Sequence, residues 1–312
     1  MNGSRIVSLG HYQPSKVVTN DDLAQTLDTN DEWIQSRVGI RSRRIAEPDE
    51  TVASLATAAA EKALANSGLT AADIDLVIVA TCSSKERSPN VAARVSRSLG
   101  ITAPAAYDLN TACSGFSYAL ANADHAIRAG ATRNALVIGA EKLSDITDWD
   151  DRTTAVIFAD GAGAAVVTGS EEPGIGPVLW GSDPEKGDAV VIEGWQPKIQ
   201  QAGQTVFRWA TFALPKLAVA ACEKAGVKPE ELAAFVPHQA NLRIIEPLAR
   251  KLGAPDAVIA KDIVESGNTS AASIPLALSK LVERREIPSG APVLLFGFGG
   301  GLTYAGQVVR CP

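Results

Sequence analysis

Two kinds of apolar segment alternate along the chain. Short continuous apolar runs, typical of strands buried in a parallel sheet, cover Asp75–Thr81 and Asn134–Glu141. Longer Ala-rich stretches with helical spacing lie between such runs, and the clearest covers Thr51–Asn66 and stops before Gly68. This alternation predicts an α/β protein with a largely parallel sheet.

The same patterns predict the remaining elements. Thr154–Thr168 is interpreted as two strands joined by a tight turn at Asp160–Gly163. That turn lacks the lysine of a Walker motif and the spacing of a dinucleotide loop, so a phosphate site is not favoured. The other elements are strands at Ile6–Gly10, Ala105–Leu109, Phe235–Val236 and Val293–Phe296, a helix start at Asn20–Leu23, and helices at Pro89–Leu99, Cys113–Gly130 and Ala271–Arg284.

The second half of the chain repeats the plan of the first. Ser67–Ile74 and the strand after it match Ala225–Leu232 and the strand after that, at an offset of 226 − 68 = 158 residues. A repeat of this length indicates a duplicated βαβ-type unit and two similar halves in one layered body. The Gly- and Pro-rich stretch Glu171–Gln204 is the natural boundary, which gives an N-terminal half at 1–170 and a C-terminal half at 171–312.

Composition and charge narrow the class of protein. The 312 residues are 46% hydrophobic and 21% charged, which allows a substantial core. A net charge of 29 − 35 = −6 disfavours non-specific nucleic-acid binding. The four cysteines show no C-x-x-C pair, which argues against a zinc site or disulfides and fits a reducing cytoplasm. No signal peptide and no membrane-length apolar run is present, so we expect a cytoplasmic protein.

Cys113 lies where the strand Ala105–Leu109 meets the helix Cys113–Gly130. The unpaired N–H groups and the dipole at a helix N-terminus favour a thiolate, which is the nucleophilic form. Ser114 and Gly115 are small enough to leave room for an acyl group. The alternative is a buried, unreactive cysteine, which is the commoner case for an isolated one.

Polar residues also follow other predicted strands. His238 ends the strand Phe235–Val236, and Asn268 precedes the next long helix. Together with Cys113 they would lie at the sheet edge where open α/β proteins place their sites. Each also has a structural interpretation, as a satisfied buried histidine or as a helix cap. Gly297–Gly301 either offers an N–H group to an oxyanion or forms a flexible turn.

A tryptophan lies among arginines near the N-terminus. Trp33 and Arg37 are followed by Arg41, Arg43 and Arg44. An aromatic ring between arginines suits a ligand with an adenine and phosphates. A solvated charged loop with a half-buried tryptophan is an equally good interpretation of this segment alone.

Six motifs, taken in their order along the chain, resemble those of β-ketoacyl-[acyl-carrier-protein] synthase III, a condensing enzyme of the thiolase superfamily. The resemblance extends from about Arg5 to Arg310. It implies a duplicated, thiolase-like αβαβα five-layer fold, in agreement with the internal repeat. The motifs are DEWIQSRVGI at 31–40, NTACSGF at 110–116, FADGAGAAVV at 158–167, VPHQANLRII at 236–245, GNTSAASIP at 267–275 and FGGGLTYAG at 298–306.

The resemblance implies a catalytic mechanism. Cys113 would be the nucleophile that takes an acyl group from acyl-CoA, with the N–H groups of Cys113 and Gly300 holding the oxyanion. His238 and Asn268 would bind the thioester carbonyl of malonyl-acyl carrier protein and stabilise the enolate left when carbon dioxide departs. This chemistry needs no metal and no cofactor.

The resemblance also implies partners and binding residues. We expect a homodimer in which the partner's loop near Ser88 completes the acyl pocket, where a bulky side chain can limit acyl length. The primer stays open between acetyl, a branched acyl group and an unusual starter of secondary metabolism. The implied sets are Thr29, Trp33, Arg37, Arg152 and Asn241 for CoA; Arg208, Arg243, Arg250 and Lys251 for the carrier protein; and Ser88 and Phe298 for the acyl pocket.

Several functions compete with condensation. The nearest is an acyltransferase of secondary metabolism that moves an acyl group to a carrier protein or a small acceptor. A thiolase would need a second acid/base cysteine, and Cys311 at the extreme C-terminus is badly placed for it. A 3-hydroxy-3-methylglutaryl-CoA synthase would need a general-acid carboxylate, which no motif nominates. A non-catalytic protein that only docks the carrier is disfavoured by the complete set of Cys113, His238 and Asn268.

Overall fold

A computed structural model describes residues 3–194 and 196–312 of the chain. These ranges contain fourteen strands and ten α-helices. The strands are β1 (Gly3–Tyr12), β2 (Val17–Thr19), β3 (Ser42–Arg44), β4 (Leu76–Ala80), β5 (Ala105–Leu109), β6 (Asn134–Lys142), β7 (Asp160–Ser170), β8 (Leu179–Ser182), β9 (Val190–Val191), β10 (Gln200–Gln201), β11 (Ala234–Pro237), β12 (Val258–Ile259), β13 (Pro292–Gly299) and β14 (Thr303–Arg310). The helices are α1 (Asn20–Ala24), α2 (Asp31–Val38), α3 (Val52–Ala65), α4 (Val91–Leu99), α5 (Gly115–Arg128), α6 (Gly203–Phe212), α7 (Leu214–Lys224), α8 (Leu242–Leu252), α9 (Ile263–Ser266) and α10 (Ser273–Glu283).

Two five-stranded sheets share one topology. The first has the order β1-β7-β6-β4-β5 and the second, read from its antiparallel edge, β8-β14-β13-β11-β12. In each sheet the first two pairings are antiparallel and the last two are parallel. The shared order is what a duplicated unit produces, as the sequence repeat predicted.

Helices cover both sheets and fill the space between them. α5 and α10 pack between the sheets, α3 and α4 cover the outer face of the first, and α7 and α8 lie beside the second. The central core joins side chains from β4, β6 and β13 to those of α5 and α10. The result is the five-layer αβαβα arrangement predicted from the sequence.

Local signals explain where these elements begin and end. Thr51 and Ser54 form a reciprocal capping box at the start of α3, whose buried face is mostly alanine. Every residue of β4 is buried, as expected for a central parallel strand. None of the helices in the described ranges is long and apolar enough to cross a membrane. The predicted boundaries of α3 and β4 are correct to within one residue.

All strands of the first sheet lie between residues 3 and 170, and all strands of the second lie between 179 and 310. On this basis we propose that residues 1–170 and 171–312 form the two repeats.

The predicted turn at Asp160–Gly163 is wrong, because these residues belong to the continuous strand β7. The chain turns earlier, within residues 151–157. The glycines serve close packing instead of a turn: a Cβ added at Gly163 would lie 2.4 Å from the backbone nitrogen of Leu276 in α10. Glycine in a strand therefore marks a close backbone approach here.

Candidate active site

Cys113 and His238 follow the strands β5 and β11, as expected, whereas Asn268 follows the short helix α9 and not a strand. Cys113 lies in a short 3-10 turn, Ala112–Ser114, between β5 and α5. A matching turn, Ser270–Ala272, precedes α10 in the second repeat. Ala112 and Ser270 both have a φ of 47°, so the two turns share an unusual backbone conformation. The duplication thus places Asn268, just before the second turn, opposite the nucleophile candidate.

One cavity of about 710 Å³ joins these residues. Its volume is in the range of small-molecule and cofactor sites. Trp33, in α2, lines the same cavity as Cys113. Of the predicted site residues, those that line it are Cys113, His238, Asn268, Gly300, Phe298, Trp33, Arg37, Asn241, Arg208 and Arg243.

The expected thiolate at Cys113 is not what the structure supports. Burial raises the pKa of the Cys113 thiol to about 11. Hydrogen bonds from the Ser270 hydroxyl and from the N–H groups of Gly300 and Cys113 lower the pKa, but they do not offset burial. The prediction counted the helix N-terminus and missed the desolvation of the site. At neutral pH Cys113 is therefore a neutral thiol, with two N–H groups directed at its sulfur.

The glycine run is not a flexible turn. Gly297 and Gly299 belong to β13, and Gly300 begins a 3-10 turn that ends at Leu302. Thr303 fixes this turn, because its hydroxyl donates to the carbonyl of Gly300 at 2.9 Å. Gly300 is therefore held with its N–H toward Cys113, which is the geometry of an oxyanion hole.

His238 is buried and neutral. Its side chain is 2% exposed, and burial lowers its pKa to about 3. Its Nδ1 lies 2.7 Å from the hydroxyl of Ser273, and the edge of its ring meets Phe298 with centroids 5.2 Å apart. A neutral imidazole held in this way offers one N–H donor and one acceptor.

Asn268 has a defined amide orientation. Its Oδ1 accepts from the N–H of Ser270 at 2.8 Å, so Nδ2 is the donor end. The backbone is held on both sides, since its N–H donates to Ile157 and its carbonyl accepts from Ala159. Nδ2 makes one long contact, at 3.5 Å, with the carbonyl of Ala240, so its second hydrogen is available to the cavity that Asn268 lines.

A second thiol, which no sequence motif indicated, lies near Cys113. The Sγ of Cys82 lies 3.7 Å from the Ser270 hydroxyl that also contacts Cys113. Its own hydrogen bond goes to Glu141 at 3.3 Å. Only the order of the strands brings these residues together, so no local motif could have found them. Cys311 is buried near the carbonyl of Ile287 and does not line the cavity, as expected.

Glu141 is a buried carboxylate that no motif nominated. It accepts from the hydroxyls of Thr81 and Ser83 and from the N–H groups of Cys82 and Ser83. Burial raises its pKa. These hydrogen bonds fix the loop after β4. Because they occupy both oxygens of Glu141, its carboxylate has little capacity left to act on a substrate. Within the described ranges no cluster of three acidic, histidine or cysteine side chains is arranged to hold a metal ion.

Trp33 lies between two arginines at the mouth of the cavity. The guanidinium carbons of Arg37 and Arg152 are 5.8 and 5.1 Å from the centre of its ring. Arg152 is also held by Asp28 and does not line the cavity. Thr29 lies nearby in the sequence, and its buried hydroxyl oxygen has no hydrogen-bond partner in the described part of the chain.

Cationic side chains surround the same mouth. Arg208 and Arg243 line the cavity, whereas Arg250 and Lys251 lie farther along α8 and are exposed. Lys251 lies over the ring of Phe212, with its Nζ 5.6 Å from the ring centre. Ser88 is exposed and lines neither this cavity nor a smaller one of about 180 Å³ beside β5.

Known families match two parts of the chain. Residues 107–184 match the family described as 3-oxoacyl-[acyl-carrier-protein] synthase III, and residues 222–311 match the family described as its C-terminal part. A relative from Streptomyces avermitilis named β-ketoacyl-[acyl-carrier-protein] synthase III 2 is 66% identical over all of this chain and all of its own length. The chain belongs to the β-ketoacyl-[acyl-carrier-protein] synthase III family.

Other members of the synthase III family are also similar to this chain in sequence and structure. A Streptomyces coelicolor relative, synthase III 4, is also 66% identical over 99% of each chain. Among solved structures, the synthase III of Aquifex aeolicus has a TM-score of 0.95, 42% identity and coverage of 99% and 100%. The priming β-ketosynthase of the R1128 polyketide pathway has a TM-score of 0.97 and 42% identity over 99% of this chain and 96% of its own. The chain is thus an acyltransferase-type condensing enzyme with a thiolase-like fold, of the kind that initiates fatty-acid or polyketide synthesis.

Proposed function

We propose that the protein catalyses a decarboxylative Claisen condensation of a short acyl-CoA with malonyl-acyl carrier protein, through an acyl-Cys113 intermediate. The observation that carries this proposal is the shared cavity, where Cys113 and the N–H of Gly300 face two neutral donors, His238 and Asn268. An acyl-transfer site needs only the first pair of groups. His238 and Asn268 become necessary when negative charge develops on a second substrate, because their donors can stabilise that charge.

The first half-reaction loads the enzyme. The sulfur of Cys113 attacks the thioester carbonyl of acyl-CoA, and the N–H groups of Cys113 and Gly300 stabilise the tetrahedral oxyanion. The carbon–sulfur bond to CoA then breaks, and the proton of the Cys113 thiol leaves on the CoA thiol. Since the resting thiol is neutral, proton transfer and attack are coupled.

The second half-reaction makes the carbon–carbon bond. The donors of His238 and Asn268 bind the thioester carbonyl of malonyl-carrier protein and hold the enolate oxygen as carbon dioxide leaves. The enolate carbon attacks the acyl-Cys113 carbonyl, the carbon–sulfur bond to Cys113 breaks, and the departing thiolate takes a proton from the solvent. The electrons stay within the substrates, so the proposed reaction needs no redox cofactor.

CoA would enter at Trp33. We infer that adenine stacks on the indole ring and that Arg37 and Arg152, now over the ring, pair with phosphates. Asn241 caps α8 through its side-chain oxygen and lines the cavity, where a pantetheine chain would pass. The unpartnered hydroxyl of Thr29 is a further candidate contact.

An acidic carrier protein would dock around the mouth. Arg208, Arg243, Arg250 and Lys251 are exposed there on a chain with net charge −6, so the attraction is local. Phe212, which is 77% exposed, adds an apolar contact beside Lys251. Replacing Arg250 with Glu should raise the KM for malonyl-carrier protein and leave the acylation of Cys113 by acyl-CoA unchanged. Equal losses in both steps would contradict this docking surface.

A second copy of the chain would cover β5. Among residues 3–194 and 196–312 this strand pairs only with β4, which leaves its other edge open, and Tyr107 on it is 38% exposed. An open apolar edge strand invites pairing with another chain. We propose a homodimer joined along β5, with the Ser88 loop of one copy beside the 180 Å³ cavity of the other. Light scattering should give twice the chain mass of 32.5 kDa, and Tyr107→Asp should reduce that mass.

We infer that the acyl group of the primer enters the small cavity, because Cys82, which lines it, contacts the same Ser270 hydroxyl as Cys113. This cavity is lined by side chains from the loop after β4 and from the end of β5, which include Thr81, Cys82 and Leu109. A volume of about 180 Å³ accommodates only a short acyl group. Identifying the primer that loads Cys113 would indicate whether the enzyme serves primary fatty-acid synthesis or a secondary-metabolite pathway.

The experiment that tests the proposed function is a panel of acyl-CoAs incubated with the enzyme and malonyl-carrier protein. We expect a β-ketoacyl-carrier protein with short primers, and no product from Cys113→Ala. If acyl groups load but pass unchanged to a carrier protein or a small acceptor, the protein is an acyltransferase instead. If no thioester loads Cys113, neither function holds.

A further inference from the structure

The hydroxyl of Ser273 connects two groups of the active site. Ser273 is the first residue of α10 and is 1% exposed. Its Oγ lies 2.7 Å from Nδ1 of His238 and accepts the backbone N–H of Gln239 at 3.2 Å. The N-cap residue of α10 is Ala272, so the Ser273 hydroxyl is not the cap of this helix. Ser273 therefore faces the histidine loop, 35 residues away along the chain.

The proton on this hydroxyl has one destination. A serine hydroxyl donates one hydrogen bond and accepts up to two. The N–H of Gln239 can only donate, so it occupies a lone pair of the oxygen. Among residues 3–194 and 196–312, His238 Nδ1 is the only remaining partner of the Ser273 hydroxyl. Ser273 therefore donates to Nδ1, and Nδ1 accepts.

The opposite arrangement is unfavourable. If Nδ1 carried the proton, His238 would donate to Ser273, and the hydroxyl hydrogen would have no acceptor. Ser273 is almost completely buried, so water cannot replace the missing partner. A buried donor without an acceptor carries a free-energy cost.

We propose that Ser273 is a positioning residue that holds His238 in the tautomer with its proton on Nε2. This inference rests on the proposed function. It adds that His238 donates a hydrogen bond from Nε2 and does not accept one there. His238 lines the cavity, and its Nε2 has no hydrogen-bond partner among the described residues. The Nε2–H group is then a ready donor to the thioester carbonyl of malonyl-carrier protein. For the same reason, Nε2 cannot take the proton of Cys113 in the resting enzyme.

The fixed tautomer complements Asn268. The amide of Asn268 is oriented by the N–H of Ser270, which leaves Nδ2 as a donor. His238 is oriented by Ser273, which leaves Nε2–H as a donor. Both partners that set these directions lie in the short segment that begins α10. One segment of chain thus supplies two neutral donors to the same enolate.

The test is the ¹⁵N NMR spectrum of the full-length protein labelled in histidine. Only three histidines are present, so His238→Asn identifies the signals of His238. We expect a protonated Nε2 and an unprotonated Nδ1 that do not change between pH 6 and 8. In Ser273→Ala we expect signals of both tautomers, a condensation rate at least about tenfold lower, and unchanged loading of Cys113 by acyl-CoA.

Ser279→Ala is the matched control. Ser279 is another buried serine of α10, and its hydroxyl lies 2.9 Å from Nδ1 of His11, away from the site. This variant should leave the His238 signals and the condensation rate unchanged. Ser273→Thr, which keeps a hydroxyl, should retain the Nε2–H tautomer.

Two results would overturn the inference. The first is a proton on Nδ1 of His238 in the unmodified protein. This result does not depend on whether Ser273→Ala folds. The second is a Ser273→Ala protein with the same tautomer and the same condensation rate. If instead the unmodified protein shows the Nε2–H tautomer but condenses no substrate, the proposed function fails and the assignment of Ser273 stands.

Discussion

Gly299 packs directly against Cys113. A Cβ added at residue 299 would lie 2.5 Å from the Cβ and 3.0 Å from the Sγ of the nucleophile. Neither group can move away easily, because Cys113 is held in its turn and Gly299 ends a buried strand. Gly299→Ala should therefore displace the nucleophile and lower the rate of Cys113 acylation by about a hundredfold, since a shift of about 1 Å costs that much.

Gly187→Ala serves as the control for this prediction. A Cβ at residue 187 would meet only the carbonyl of Gly301, at an ordinary contact distance of 3.8 Å. It should acylate at the normal rate. The measurement is the intact mass over time after acyl-CoA is added, and normal acylation of Gly299→Ala would contradict the close approach.

Asn268→Asp should separate the two half-reactions. The change replaces the Nδ2 donor with an acceptor and places a negative charge where the enolate forms. Loss of one such donor typically lowers a rate by about 10² to 10³. We expect that loss in condensation, measured as carbon dioxide release, while acyl-CoA still loads Cys113. An equal loss in loading would show that Asn268 serves the first step or the fold.

The reactivity of Cys113 should depend strongly on pH. With a pKa raised to about 11 by burial, its thiolate fraction increases about tenfold for each pH unit between 7 and 9. Alkylation by iodoacetamide, measured on the Cys113 peptide by mass spectrometry, should follow the same slope. Ser270→Ala removes a hydroxyl that lowers the pKa, so it should react more slowly at pH 9. An alkylation rate that stops increasing below pH 8 would instead support the thiolate that the helix N-terminus predicted.

His11 should make the fold sensitive to acid. Burial and Lys62 lower its pKa to about 4, with Lys280 acting in the same direction and Glu283 and Asp262 opposing it. Because the folded pKa is below the unfolded value of about 6.5, the unfolded chain binds more protons, and stability falls as pH decreases from 6.5 towards 4. Between pH 7.5 and 5 this costs about 2 kcal/mol.

The comparison for this prediction is His11→Asn. Its Tm should lie below that of the unmodified protein at pH 7.5, because the contact with Ser279 is lost. Towards pH 5 the difference should shrink, since the variant carries no group that titrates there. A difference that stays constant between the two pH values would contradict the lowered pKa of His11.

The sequence predicted the elements where periodicity decides the structure. The buried strand β4 and the alanine face of α3 follow directly from the apolar pattern, and the repeat gave two matching sheets. It failed at Asp160–Gly163, because glycine in a strand that packs on α10 has the same local pattern as glycine in a turn. Only tertiary packing distinguishes the two cases.

The candidate site was predictable to a similar extent. Cys113 and His238 each follow a predicted strand and Asn268 precedes a predicted helix, and the family resemblance supplied their implied roles. Their partners were not predictable, since Ser273 reaches His238 across 35 residues and Cys82 reaches Ser270 across 188. The raised pKa of Cys113 depends on burial, which only the assembled layers determine.

The central claim is that acyl-Cys113 is an intermediate in carbon–carbon bond formation. The most direct measurement begins with enzyme acylated by a short acyl-CoA and freed of excess CoA ester. Malonyl-carrier protein is then added, and the intact masses of both proteins are measured over a single turnover. We predict that the enzyme loses the acyl mass while the carrier protein loses carbon dioxide and gains the acyl group. An enzyme that stays acylated, or a malonyl group that remains intact, would contradict the account.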